Sequence, residues 1–451
     1  MEAHDGVSGQ EPQEVTSALR GPVLTYSGDA FLHGLESTMH YEPDAIVAMA
    51  GGRITHFGPA AKVAPELPAG TVVEALGRDT LTMAGFIDCH VHYPQTQIVG
   101  AYGERLIDWL QKHTFAAELQ FADKAHAREV AGVFLKECLR AGTTTAAVFC
   151  TVHPQSVDAF FEQAEALGMR MIAGKVLMDR NAPQGLTDTP KRGYDESKAL
   201  LRKWHGKGRS LYCVTPRFAP TSTPEQMEMA GALWREHPGT YLQSHVSENR
   251  RELAWVKELY PERKGYLDTY DHYGQLGARA IYGHGIWLTE AELARCHESG
   301  SAIAHCPTSN EFLGSGLFHL KNAKKPGRAV RVGLGTDLGA GTSFSMLQTL
   351  NGAYRVAQLA GDPLSAGHAF YLATRGSAHA LYLEERIGSI APGMEADLVV
   401  LDLKSTPIIE YRMRSCRDIE EALFVQMMMG DDRAVLATYV AGRVAYRRDQ
   451  T

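Results

Sequence analysis

A chain of 451 residues, 44% hydrophobic and 22% charged, has ordinary globular composition and room for roughly two to three domains. Its formal net charge of −7, from 45 basic and 52 acidic residues, speaks against nucleic acid or an anionic membrane as a partner. No apolar run approaches the roughly 20 residues needed to cross a bilayer, so a small neutral or mildly charged substrate is the better expectation.

The first twenty residues, MEAHDGVSGQEPQEVTSALR, are polar and carry no signal-peptide core. Residues 21–80 read as short strands broken by turns: VLTYSG, AIVAMAGGRITHFG and TVVEAL. The Gly-Gly at 51–52 between two apolar runs is a hairpin signal. From 81 to 384, short apolar runs alternate with longer helical segments. The runs are 83–92, 143–150, 171–179, 211–218, 240–247, 280–285, 301–306 and 330–337. The helical segments include ADKAHAREVAGVFLKECLRAG, which closes on a C-cap-like Gly142. Eight such units predict an α/β fold built on a (β/α)₈ TIM-like barrel. Residues 385–451 turn β-rich again, in SIAPGMEADLVVLDL and VLATYVAGRVAYRR. The expected organisation is therefore a barrel over 81–384, flanked by a small β-sandwich domain formed from 1–80 and 385–451. Cys89, Cys138, Cys150, Cys213, Cys296, Cys306 and Cys416 form no CxxC pair and are odd in number. That suits a reducing compartment, and a soluble cytoplasmic protein is expected.

In a barrel, chemistry gathers at the carboxyl ends of the strands. The first predicted strand ends in GFIDCHVHYPQT, with His90 and His92 two apart and Gln95 three further on. Side chains alternate along a strand, so the two histidines face the same side. The fourth run ends in Arg217 and Phe218, the fifth in His245 with Glu248 beyond it, the sixth in His284, the seventh in His305 and the eighth in Asp337. Each has a plainer reading when taken singly. An HxH at a strand end is often structural. Glu248 suits a helix N-terminus, His284 a satisfied core, and Asp337 a turn cap. Arg217 suits an ion pair at the barrel rim, and Phe218 core packing. Together they form a set that the single readings do not explain. Imidazoles plus a carboxylate suit Zn²⁺, with Fe²⁺ as the alternative. Such an ion would lower the pKa of its water from 15.7 to about 7, and Glu248 is placed to move that water's proton.

This pattern resembles the amidohydrolase superfamily over nearly the whole chain. The HxH pair is common to that superfamily. HYPQ, LIDWLQKHTFAAE (106–118), GKVLMDRN (174–181), TPRFAPTST (215–223), QSHVSEN (243–249), YGHG (282–285), AHCPTSN (304–310) and GLGTD (333–337) are similar to its guanine-specific, mononuclear zinc deaminase branch. The resemblance implies one zinc per chain held by His90, His92, His245 and Asp337, with His284 in or beside that set. It implies Glu248 as proton shuttle and Asp337 and His284 as further catalytic groups. Gln95, Arg217 and Phe218, with His245, Glu248 and Asp337, would contact the purine. The implied reaction is hydrolysis of guanine to xanthine and ammonia by attack of a metal-bound hydroxide on C2. A homodimer is implied as well.

Other readings stay open at this point. The same chemistry serves another aminopurine, a pterin or a triazine, and a non-catalytic scaffold is a different class altogether. Binuclear relatives carry a carbamylated lysine on the fourth strand. LYCVTPRF has none, and Lys175 on the third is expected to be a salt-bridged or buried structural residue. The H-x-E…P-C-x-x-C pattern of cytidine-type deaminases is absent, so His305 and Cys306 are expected to support the pocket.

Overall fold

The computed structural model describes residues 17–103 and 105–448. Residues 1–16 of the polar opening stretch therefore lie outside the described residues. The strands in chain order are β1 Ser17–Tyr26, β2 Met39–Ala50, β3 Arg53–Pro59, β4 Val73–Ala75, β5 Thr80–Ala84, β6 Phe86–His92, β7 Thr143–Phe149, β8 Arg170–Gly174 and β9 Val176–Leu177. They continue with β10 Leu211–Pro216, β11 Tyr241–Val246, β12 Ala280–His284, β13 Ala302–His305, β14 Arg331–Leu334, β15 Leu398–Asp402, β16 Val435–Val440 and β17 Arg443–Arg447.

The eight runs expected in the centre all form strands. They pair in parallel in the order β14-β13-β12-β11-β10-β8-β7-β6, with helices between them. The third run divides at Lys175, leaving the two-residue β9 beside β10. Lys175 is fully buried and ion-paired with Asp188, with Glu196 at 3.5 Å, the structural role expected of it. All seven cysteines are unpaired, and among the described residues no helix is long and apolar enough to cross a membrane.

The ends of the ring meet without a strand ladder. Instead the Thr336 N–H donates to Asp88 Oδ1 at 3.0 Å, the Thr336 hydroxyl donates to Asp88 Oδ2, and the Asp337 N–H donates to the His90 carbonyl at 2.9 Å. Gly333 and Gly335 permit this approach. A Cβ at Gly333 would fall 2.4 Å from Cys89 Sγ, and one at Gly335 2.8 Å from His90 Cβ. The register of β6 against β7 also slips between Asp88 and Val91, a bulge directly under the histidine pair.

The two chain ends build a separate sheet in the order β17-β16-β15-β5-β1-β2-β3, with β4 against β1. The hairpin expected at Gly51–Gly52 is present, and a second turns at Ala441–Gly442 between β16 and β17. Gly51 and Gly52 have φ of 55° and 80°, and Ala441 and Gly442 have 46° and 75°. Two successive positive φ values give a turn whose twist matches the flanking strands.

This sheet is tied to the amino-terminal face of the barrel by a buried charge network. Arg170, the first residue of β8, donates to Glu395 Oε2 at 2.8 Å and also to Oε1. Arg209 bridges Glu395 and Asp397. Burial raises the pKa of Glu395, but the two arginines outweigh it and hold the carboxyl below its ordinary 4.5. A carboxyl with a lowered folded pKa stabilises the fold above its unfolded value, and the contribution is lost as pH falls through the folded value. Glu395→Gln is therefore expected to cost about 3 kcal/mol at neutral pH in urea denaturation, with the gap to the parent closing below pH 4.5. A gap constant across that range would rule the linkage out.

Candidate active site

The polar residues at the carboxyl ends of β6, β11, β12 and β14 converge on one point. His90 Nε2 and His92 Nε2 each lie 3.5 Å from Asp337 Oδ1. His92 Nε2 is 3.1 Å from His245 Nε2. His284 Nε2 stands 3.8 Å from Asp337 Oδ2 and 3.4 Å from Glu248 Oε2. His90, His92 and His245 form one group whose donor atoms share a common centre, and His90, His284 and Asp337 form a second. A tetrahedron with metal bonds of 2.0–2.1 Å has edges of about 3.4 Å, which is the spacing seen here.

Hydrogen bonding leaves these donors free to ligate. His245 Nδ1 is 2.6 Å from the Arg217 carbonyl. A carbonyl only accepts, so Nδ1 carries the proton and Nε2 presents its lone pair. His284 Nδ1 donates in the same way to Asn310 Oδ1 at 2.8 Å. His90 Nε2 and His284 Nε2 are buried without a hydrogen-bond partner. Burial first, then neighbouring positive groups, drives the pKa of His90, His92 and His245 well below the usual histidine value, so they are neutral, the form that binds metal. Burial also raises the pKa of Asp337 and of Glu248. On His284 it acts the other way, but the two carboxylates outweigh it and the net shift is upward. The donor set of His90, His92, His245, His284 and Asp337 suits a divalent cation, with Glu248 standing beside it.

The backbone is strained to aim these groups. Ser247, His284 and Asp337 have φ of 49°, 71° and 48°, the left-handed region that costs such residues about 1–3 kcal/mol each. Gly283 makes room for a ring. A Cβ there would lie 2.5 Å from Cε1 of His90.

The cluster opens into a small cavity lined by Gln95, Arg217, Phe218 and Glu248 and by the apolar Leu106, Trp109 and Leu110. All six residues expected to contact the purine, these four with His245 and Asp337, line it. Gln95 sits in the short turn after β6, packed against Gly339. Arg217 lines the cavity and forms the ion pair expected of it, with the fully buried Glu118 at 2.8 and 3.0 Å. Phe218 likewise lines the cavity and belongs to an apolar cluster with Trp109 and Phe115. His305 stacks on Phe318, with ring centroids 4.8 Å apart. Neither it nor Cys306 reaches the cavity wall.

Sequence reading missed several supports. Ser315 donates to Glu248 Oε1 at 2.9 Å. Glu252, which takes the Asn249 N–H at 3.1 Å in a helix capping box, also takes the Glu248 N–H at 2.9 Å. Phe149 packs on the rings of His90 and His92, with centroids 4.9 and 4.5 Å away. Asn310, Glu118 and Trp109 do lie inside stretches singled out in the sequence, but their type alone assigned them no task.

Comparison with known proteins agrees with this geometry. Residues 81–445 match the model of the Amidohydrolase family. Guanine deaminase of Escherichia coli (strain K12) is 50% identical over 415 residues, covering 92% of this chain and 94% of that protein. A solved structure of E. coli guanine deaminase superposes with a TM-score of 0.93 at 48% identity, covering 96% of this chain and all of the other. Guanine deaminase from C. acetobutylicum, solved with guanine in its active site, gives 0.84 at 26% identity over 95% of this chain and all of the other.

Proposed function

This chain belongs to the amidohydrolase family, in its guanine deaminase group, and from that premise we propose that it hydrolyses guanine to xanthine and ammonia. The observation that carries the reading is the convergence of unpartnered imidazole nitrogens and Asp337 at the floor of a cavity walled by Arg217 and Gln95.

His90, His92, His245 and Asp337 would hold one divalent ion, with His284 beside it. Bound there, such an ion lowers the pKa of a coordinated water from 15.7 to about 7. Its nitrogen and oxygen donors favour zinc, with iron as the alternative. The protein's own groups then move protons and hold the ring. Glu248 takes a proton from the attacking water and delivers it to N3 as oxygen adds to C2. Ser315 fixes one oxygen of Glu248, so the other faces the reaction. Asp337 takes the second proton while the C2–N bond breaks and passes it to the departing amine, which leaves as ammonia. Gln95 can donate and accept at once and reads a mixed purine edge. The Arg217 fork suits carbonyl and ring-nitrogen acceptors, and Phe218 covers the ring face.

Further readings rest mainly on the family resemblance. A homodimer and a cytoplasmic setting are proposed on that basis, the latter supported also by the unpaired cysteines. The division at residues 80 and 384 is proposed with its first boundary moved to Gly85, because β5 Thr80–Ala84 pairs with β15 in the terminal sheet and the barrel strands begin at β6 Phe86, while β15 to β17 beyond 384 return to the terminal sheet.

Metal-loaded protein is expected to release equimolar ammonia and xanthine from guanine, followed by ultraviolet absorbance and ammonia assay. Adenine, pterin and triazine substrates give no comparable rate. Gln95→Ala should raise KM about tenfold, the effect of losing one or two hydrogen bonds to a buried ligand, with metal content unchanged. An unaltered KM would remove Gln95 from the purine contacts.

A further inference from the structure

Arg217 brings a full positive charge to the wall of a cavity meant for a neutral purine. Its Nη1 donates to both oxygens of Glu118, and among the described residues Glu118 is the acidic group within ion-pairing distance of it. Glu118 does not line the cavity. It ends the helix Phe115–Glu118 and reaches the guanidinium from behind. Both side chains are buried, so solvent does little to screen the charge of either.

Resting on the reading of Arg217 as a purine contact, we propose that Glu118 is a positioning residue that sets charge specificity. It aims the Arg217 fork and cancels its charge, so that the cavity accepts neutral guanine and disfavours an anionic ligand. The consequence falls on the product. Xanthine carries an imide N–H between two carbonyls and loses its proton more readily than guanine. A lone buried guanidinium would hold that anion. The neutral Arg217–Glu118 pair adds no attraction for that anion to the charge of the metal cluster, which is common to parent and variant, and so favours its release.

The pair is separable from the metal cluster. The Arg217 backbone carbonyl receives His245 Nδ1–H at 2.6 Å and the Ser244 hydroxyl at 3.2 Å. The Arg217 main chain is therefore anchored by β11, independently of Glu118. Loss of the carboxylate frees the side chain without moving His245.

The test is inhibition of guanine turnover by xanthine across the pH range in which xanthine ionises, referred to hypoxanthine, which ionises at higher pH. In the parent enzyme, the ratio of the two inhibition constants should move against xanthine as it becomes anionic. In Glu118→Gln the trend should reverse, with xanthine bound at least about tenfold tighter than by the parent on the alkaline side, equivalent to about 1.4 kcal/mol. KM for guanine should rise more than kcat falls, and Glu118→Asp should restore the parent trend. A parent that binds the xanthine anion better than the neutral form overturns the proposal, and needs no variant to fold. So does a Glu118→Gln profile parallel to the parent's. Failure of the parent to form xanthine from guanine would instead overturn the functional reading on which this rests.

Discussion

Glu248→Gln is expected to lower kcat for guanine by about 10²- to 10⁴-fold, the range for removing a general acid–base, while metal content stays at the parent value. The amide keeps the size of the carboxyl and can still accept from Ser315, which donates at 2.9 Å. Glu248 belongs to neither group of converging metal donors. What disappears is the basic oxygen that faces His284 Nε2 at 3.4 Å. Burial raises the pKa of Glu248, with the charge of Asp337 adding to it and His284 opposing. A carboxylate raised toward neutrality is the better proton carrier at neutral pH. Substrate binding should persist, so KM changes little beside kcat. Metal analysis together with steady-state kinetics decides the matter. Near-parent turnover in a metal-replete variant would remove the shuttle role from Glu248.

The second large effect comes from a residue with no functional group. Gly283→Ala puts a methyl 2.5 Å from Cε1, 2.8 Å from Nδ1 and 2.9 Å from Nε2 of His90. The ring has little room to retreat. Phe149 and His245 pack on it with centroids 4.9 and 4.7 Å away, and the His90 backbone carbonyl is held by the Asp337 N–H. The methyl must therefore turn the imidazole. Displacing a group that orients a ligand costs about 10- to 100-fold in metal affinity, and overpacking a filled site adds about 1–3 kcal/mol of destabilisation. Turnover should fall with metal occupancy and recover in part when the ion is supplied in excess. Gly77→Ala is the control, because a Cβ there meets nothing within 4 Å. A Gly283→Ala protein with parent metal stoichiometry would show that the ring adapts.

The legible part of this site is the part that repeats with the strands. His90, His92, His245, His284 and Asp337 lie at or just past strand ends, and strand ends follow from short apolar runs bounded by turns. The barrel and the hairpin at Gly51–Gly52 were readable for the same reason. The residues that hold those groups were not. Arg217 and Glu118 are 99 positions apart, Glu248 and Ser315 are 67 apart, and no periodicity marks which pairs will meet. The apolar wall from 106 to 118 was hidden too, since its helical turns are interrupted by a π turn at Leu110–Thr114. That turn shifts the faces on either side, so Trp109 lines the cavity while Glu118 is sent to Arg217. The bulge in β6 and the split at Lys175 are likewise decided by neighbours, a slipped β7 register in one case and a buried charge partner in the other.

The seam between β6 and β14 bears on how the molecule comes into being. Its stitches join Asp88 to Thr336, 248 positions along the chain, so closing the ring is among the most entropically costly contacts the chain makes. The first histidines of the centre are laid down early in synthesis and Asp337 last. A nascent chain therefore carries an incomplete ligand set until its final barrel strand emerges and docks. Activity is withheld from unfinished chains by the order in which the fold is assembled.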